Sequence, residues 1–350
     1  MNLKSMKKKA NLATIYIISV AIIFTILVPV YFIFSISFLS TREAYQYPLP
    51  LFPELRSEIK LENGDRGVLL SIYDKRNHDY ETLLDTSDFK KMSTYMRTNL
   101  SLNFTPEELE EKSSLLLTQS QVVFKARKDV LHNYKTFFQV TRDAIPALIR
   151  SIQIAFITIL ISLSIGGTAG YTLARYQFRG KHTLKFSILF VRMFPGVAIA
   201  MPMVIILANM GLYDQPLGLS LVYAIGSIAL TTWITTSIFL GIPVELEEAA
   251  QEFGASKLRT FINITLPLAL PGLAASSMYA FLGAWNETIS ALILTQFKPT
   301  FAVVVYQALY GSTGQVNLTA AGGIAMAIPT LIFTFIIRKY INQMWGDVSV

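Results

Sequence analysis

Residues suited to acid–base, metal or covalent chemistry are few and scattered. The chain has no cysteine, so neither a disulfide framework nor a thiolate metal site is available. Its histidines, His78, His132 and His182, lie far apart and fit no metal-ligand spacing. No nucleophile is paired with a base at a telling spacing. The pattern G-x-x-x-x-G-K-[ST], whose backbone would cradle nucleotide phosphates, does not occur. What stands out instead is polarity in apolar surroundings: Arg150, Arg192 and Glu287 fall within or at the edges of long apolar runs, with Asn286 beside Glu287. An ionisable side chain in lipid is costly and faces a protein interior or water. Asn286 and Glu287 are therefore candidates to line a translocation path, their polar atoms replacing water around solute hydroxyls. The competing reading of Glu287 is structural, at a helix end or against another subunit. Arg192, near one end of its run, is expected to snorkel toward the interface.

The elements that must position these residues are read from composition. Of the 350 residues, 52% are hydrophobic and 15% charged, against about 25% charged in soluble domains. The apolar residues fall into six runs, 12–39, 144–174, 186–210, 219–242, 268–294 and 318–337. Each is long enough for a helix crossing a hydrocarbon core of about 30 Å. The first follows Lys4, Lys7, Lys8 and Lys9. It exceeds the apolar stretch of a cleavable leader and lacks a small-residue cleavage site, so an anchor helix is expected, with a kink at Pro29. Basic residues cluster before the first run, in 175–185, in 243–267 and after the last run, and are nearly absent from 211–218 and 295–317. Six spans with both termini in the cytoplasm place every basic cluster on that side.

Residues 41–143 form an insertion of 15 basic and 16 acidic residues, which the same topology places outside. The surplus charge, net +7 for the chain, therefore belongs to the membrane part, and nucleic acid is not needed to explain it. The insertion carries folding signals. Thr105-Pro106-Glu107-Glu108 fits a capped helix start. Phe89, Met92, Tyr95 and Met96 recur at helical spacing, and 67–73 has the composition of a strand. A small mixed subdomain is expected. The domain plan is thus a cytoplasmic N-terminus with the first span (1–40), an extracytoplasmic insertion (41–143), a five-helix core (144–340) containing a cytoplasmic loop (243–267), and a cytoplasmic tail (341–350).

That loop is the most informative segment. Glu245, Glu247 and Glu248 suit the first turn of a helix, where the dipole favours acid. Ala249 and Ala250 leave a shallow surface open to close approach. Gly254 permits a turn closed to other residues. Leu258, Phe261 and Ile262 give a second short helix an apolar face, and Pro267 is expected to end the unit. An amphipathic loop lying on the membrane would share much of this pattern. The spacing is more specific: Glu248, Ala249, Ala250, Gly254, Ile264, Leu266 and Pro267 match every element of E-A-A-three-G-nine-I-x-L-P. The chain resembles the permease subunits of ABC importers, in particular the maltose-type carbohydrate branch. Tyr171, Ala174, Arg175, Phe178, Gly180 and Lys181 match that branch's Y-x-x-A-R-x-x-F-x-G-K. Met193-Phe194-Pro195 and Trp285-Asn286-Glu287 also have counterparts there. The resemblance covers roughly 152–341. It departs in the insertion and in the tail, which lacks the branch's Gly-rich ending.

The resemblance implies an all-α membrane protein with the six-helix type I importer permease fold, the insertion lying between helices 1 and 2. It implies a loop that docks into an ATPase subunit, with Glu248 as a polar contact and Gly254 as the turn. ATP and magnesium would be bound by that partner, and this chain would hold no cofactor. The other implied partners are a second permease subunit distinct from this chain, as in a heterodimer, an extracytoplasmic solute-binding protein and membrane lipid. The function implied is alternating-access import of a sugar or oligosaccharide, at the bacterial inner membrane. Alternatives are a permease for another solute and a membrane-anchored receptor; six spans and a docking loop exceed what an anchor needs.

Overall fold

The computed structural model describes residues 3–140, 143–310 and 314–344; the expected tail beyond Met344 lies outside the described residues. The chain divides into two compact units, one of 1–140 with 308–324, the other of 141–307 with 325–350.

The first unit begins with α1 (Leu3–Ile36), which keeps Pro29 inside an uninterrupted helix. Most of its apolar stretch Leu12–Ile36 is unburied within the chain, Ser35 near its end being the buried exception, as expected of a surface that faces lipid or another subunit. The one-turn helix α2 (Thr41–Ala44) is closed by a capping box between Ser40 and Glu43. A four-stranded sheet follows, made of β1 (Arg56–Asn63), β2 (Val68–Asp74), β3 (Asp79–Thr86) and β4 (Gln121–Arg127). Strand order is β3-β2-β1-β4, antiparallel throughout. Alternation along β1 sends Ile59 and Leu61 to one face, level with Ile72 and Leu70 of β2 and with Phe124 and Val122 of β4. That face meets α3 (Phe89–Leu100) and α4 (Pro106–Ser114) through Met92, Met96, Leu100 and Leu109. The Thr105–Glu108 capping box forms as its sequence requires. The preceding helix is capped by Asp88, whose side chain accepts from the N–H groups of Lys90 and Lys91.

A buried ion pair anchors this subdomain. Lys128 Nζ meets Glu43 Oε2, both residues less than a tenth exposed. Burial alone would raise the Glu43 carboxyl, but Lys128 and the Ser40 donors hold it below the ordinary carboxylate value. Helix α5 (His132–Val140) contributes Asn133, whose amide donates to the Ser37 and Leu39 carbonyls at 2.8 and 2.7 Å. The Asn317 amide donates in turn to Asn133 Oδ1 at 3.0 Å.

In the second unit, α6 (Ala144–Ile161) passes through a π turn, Ser162–Gly166, into α7 (Gly167–Arg175). Then come α8 (Lys181–Val191), α9 (Gly196–Asn209) and α10 (Pro216–Gly241). The rest comprises α11 (Glu245–Glu252), α12 (Lys257–Thr260), α13 (Leu266–Trp285), α14 (Ile289–Leu294), α15 (Phe301–Tyr310) and the later part of α16 (Val316–Met344). Helix α10 is the centre of the packing. Thr231, Thr232, Thr235 and Thr236 are buried on α10, which packs against α7, and Thr235 Oγ1 donates to the Gly166 carbonyl at 3.2 Å. A Cβ on Gly166 would lie 2.9 Å from Thr231 Cβ, so the absent side chain is what permits this approach. Small residues at such contacts are the usual means of close packing in lipid, where no hydrophobic force drives helices together. Phe281 stacks between Trp285 and Phe333, with centroids at 5.5 and 4.3 Å.

Among the described residues, five helices are long and apolar enough to cross a membrane, and a bent pair makes a sixth. The bent pair differs from the uninterrupted run expected over 186–210: α8 and α9 meet at 88°. Pro195 precedes α9 in an extended conformation, and its fixed φ and missing N–H end the helical ladder there. A second difference concerns Pro267, expected to end the loop unit. Instead Lys257–Trp285 runs as one helix, with a π turn at Phe261–Thr265 just before the proline. The wider turn accommodates a residue that cannot donate to the usual carbonyl.

Candidate functional site

The loop 243–267 forms a knob at the end of α10. Helix α11 begins at Glu245, two residues after Pro243, with Glu245, Glu247 and Glu248 in its first turn. It ends at Glu252, and the turn that follows passes through Gly254, whose φ of +87° lies in the region that favours glycine. Ser256 then caps α12, its hydroxyl accepting from the Arg259 N–H at 3.3 Å. Glu245, Glu248, Ala249 and Gly254 are exposed, and Ala250 is half-buried. Phe253, at the tip, is 93% exposed. Leu258 and Ile262 point outward, whereas Phe261 packs inward beside Tyr171, Phe239 and Ala269. Ile264 and Leu266 are half-buried, and Pro267 is exposed.

Glu247 is the exception among the acids, since it is buried. Its Oε1 lies 2.8 Å from Arg175 Nη2 and accepts from Arg175 Nε at 2.9 Å and Thr265 Oγ1 at 2.8 Å. Its Oε2 accepts from the Tyr171 hydroxyl at 3.0 Å. Arg175 also donates to the Phe239 and Ile242 carbonyls at 2.6 and 3.0 Å. Those carbonyls belong to the end of α10, where a helix leaves acceptors without internal partners. One guanidinium thus closes α10 and holds the first turn of α11. Burial would raise the Glu247 carboxyl, but the donors from Arg175, Thr265 and Tyr171 outweigh it and hold the group below the ordinary carboxylate value. Glu247 therefore fixes the knob, while Glu245 and Glu248 stay exposed on its surface. From sequence, Tyr171 and Arg175 are named only as motif matches and Glu247 only as a first-turn acid; that they join to fix the knob was missed. Their signal was present, because Tyr171 and Arg175 are four apart and share a helix face.

The second candidate region lies around the elbow between α8 and α9. A cavity of about 230 Å³ is lined by residues of α8, α9, α10, α13 and α14, including Arg192 and Glu287. Arg192 sits at the elbow, as the residue closing α8, where it is exposed and is also among the residues lining the cavity. Glu287 lies in the break between α13 and α14, where its Oε1 accepts from the Ser290 N–H at 2.7 Å. Asn286 is exposed and does not line the cavity. The expected pair is thus split: Glu287 lines the cavity and caps a helix, and Asn286 does neither.

A knob presenting acidic and apolar residues and a helix bundle around a polar cavity are parts of a membrane permease. The family model for the binding-protein-dependent transport system inner membrane component matches residues 163–345. The chain belongs to this family. Among its relatives, the trehalose transport system permease protein SugB of Mycobacterium tuberculosis (strain CDC 1551 / Oshkosh) is 35% identical over 199 residues, 56% of this chain and 73% of that protein. The trehalose/maltose transport system permease protein MalG of Thermococcus litoralis (strain ATCC 51850 / DSM 5473 / JCM 8560 / NS-C) is 30% identical over 218 residues, 61% of this chain and 78% of that protein. In fold the chain is similar to one from a bacterial ABC transporter involved in the import of the acidic polysaccharide alginate. The two share 18% identity and a TM-score of 0.59, over 97% of this chain and 99% of that one. This permease is accordingly membrane-embedded through its apolar helices and has the importer permease fold.

Proposed function

We propose that this permease subunit carries a sugar or oligosaccharide of the maltose, maltodextrin or trehalose type across the membrane by alternating access, driven by a separate ATPase. The observation that carries the reading is the exposed knob at Glu245–Glu252, held to the membrane helices by the buried Glu247–Arg175 pair. A motor protein that moves such a knob moves the ends of α7 and α10 with it, since the guanidinium bonds all three elements. ATP and magnesium belong to the ATPase. The relatives' names support the substrate class.

In this reading the knob and both termini are cytoplasmic and 41–143 is extracytoplasmic. A second permease subunit of different sequence completes the translocation path. A solute-binding protein delivers the sugar, docking with help from the subdomain between the first and second spans. The subdomain's mixed charge, with pairs such as Lys60–Glu62 at 3.0 Å on its sheet, suits specific polar contact better than bulk electrostatic capture. The test is reconstitution with an ATPase, a second permease and a solute-binding protein of the same organism, followed by uptake of radiolabelled maltose, maltotriose and trehalose. ATP-dependent accumulation of one of them is expected. Assembly without accumulation of any sugar would remove the substrate class, and failure of the ATPase to co-purify would remove the docking role.

A further inference from the structure

Helix α16 belongs to both compact units. Residues 308–324 group with the insertion and 325–350 with the helical bundle, yet α16 runs from Val316 to Met344 as one helix, with Pro329 inside it. Specific contacts hold it in each unit.

At its start Asn317 is buried. The Asn317 amide donates to Asn133 Oδ1 at 3.0 Å and to Thr41 Oγ1 at 3.3 Å. Asn133, also buried, donates to the carbonyls of Ser37 and Leu39, just beyond α1. The Thr41 hydroxyl donates in turn to the Thr98 carbonyl of α3 at 3.0 Å. Further along, a Cβ on Gly322 would lie 2.6 Å from the Phe137 ring of α5, so α5 and α16 touch where that side chain is absent. Two buried amides and a hydroxyl thus tie α16 to the end of α1, to α3 and to α5. Hydrogen bonds fix direction as well as distance, so the start of α16 shifts only with the subdomain or by breaking them.

In the second unit α16 meets α13. Trp285 Nε1 donates to the Met326 carbonyl at 3.1 Å, and Phe281 stacks on Phe333 at 4.3 Å. Trp285 and Phe281 stand at one end of the continuous helix Lys257–Trp285. The other end of that helix is the second helix of the knob, about 40 Å away at 1.5 Å per residue. Each of these contacts lies within one unit, and α16 itself passes from one to the other.

We propose that α16 transmits the state of the external subdomain to the knob, with Asn317 and Trp285 as the positioning residues at its two joints. The inference rests on the transport reading above and deepens it, naming how a partner docked on the outer side regulates hydrolysis on the inner side. Coupling between distant sites is carried by packed, hydrogen-bonded and rigid elements. Here a displacement of Asn133 passes to Asn317, along α16 to Met326, and through the indole to the helix that ends in the knob. The Glu247–Arg175 pair ties the knob to α7 and α10 instead. The knob therefore has two attachments, and the one through α16 begins at the subdomain.

The test uses the assembled complex with a solute-binding protein of the same organism. Asn317→Leu removes the amide joint; Trp285→Phe removes the indole donor and keeps a ring beside Phe281. Basal ATP hydrolysis in Asn317→Leu should match wild type, while its stimulation by the loaded binding protein should fall roughly fivefold or more, the scale of a typical coupling between sites. Trp285→Phe should lose stimulation likewise. The double variant should lose no more than the larger single loss, because both joints lie on one route. If Asn317→Leu does not assemble, Trp285→Phe, which leaves the subdomain joint intact, tests the same route. Hydrogen exchange without the binding protein is the second reading. Asn317→Leu should quicken exchange at 245–262 as well as at 132–140 and 314–324, where a merely structural role would confine the change to the latter two. Exchange altered only around Asn317, stimulation retained in both variants, or losses that add would overturn the proposal. If the binding protein does not stimulate wild type while exchange at the knob still responds to Asn317→Leu, it is docking on the subdomain that fails, and the route through α16 stands.

Discussion

Glu247→Gln keeps the shape of the side chain and an oxygen acceptor but removes its charge, leaving the Arg175 guanidinium with neutral acceptors only, that oxygen and the Phe239 and Ile242 carbonyls. Breaking a buried pair by changing one member typically costs about 3–5 kcal/mol, because the remaining charge stays desolvated. The two carbonyl bonds soften this, so the cost here is expected near the lower end of that range. Replacing both members by apolar residues of similar volume, Arg175→Met with Glu247→Leu, removes the stranded charge and should recover much of that stability. The two effects therefore separate: the single variant is destabilised, and the double variant is more stable but has lost the bond between α7, α10 and α11. Thermal unfolding of the assembled complex reads the first, and the ratio of solute moved to ATP hydrolysed reads the second. The double variant is expected to retain the ATPase yet transport less per ATP. The pair also sets a pH response. The folded carboxyl of Glu247 titrates below its ordinary value of 4.5, so the unfolded state binds its proton first as pH falls. The contribution is full above about 4.5 and is lost as pH drops through the lower folded value. Glu247→Gln should flatten that part of the stability–pH curve. A double variant as well coupled as wild type, or a single variant of unchanged stability and pH profile, would refute the reasoning.

Gly254→Pro should leave the chain membrane-inserted but transport-dead, since a proline φ near −65° cannot supply the +87° found there; membrane fractionation and uptake assays check both halves. Glu248→Lys, on the exposed face of α11, should weaken co-purification of the ATPase with little change in thermal stability. Single cysteines at Asn63 and Glu252, both exposed, should differ in labelling by an impermeant thiol reagent on wall-stripped cells, with Asn63 labelled and Glu252 protected; the opposite pattern would reverse the topology. Lys128→Met strands Glu43 inside the external subdomain and should cost about 3–5 kcal/mol there, read as faster proteolysis of the insertion in otherwise assembled complexes.

Some of this protein could be read without coordinates because the cause lies within a few neighbouring residues. Apolar length against bilayer thickness is a local property, and it located the helices that cross. The Thr105 cap and the Gly254 turn depend on residues within one turn of the chain, and both form as their types require. The spacing from Glu248 to Pro267 marked the knob for the same reason. What the sequence left open depends on partners distant along the chain. Glu245, Glu247 and Glu248 are alike as acids at a helix start. Only packing turned Glu247 inward, onto an arginine 72 residues away. Hydropathy counts carbon and not direction, so 186–210 reads as one span although Pro195 folds it through 88°, with Arg192 at the elbow among the residues lining the cavity. Adjacent Asn286 and Glu287 part company because the break after Trp285 sends one side chain outward and the other to the start of α14. Composition determined that charge would sit among apolar helices; the bends of those helices decided which charges line the cavity.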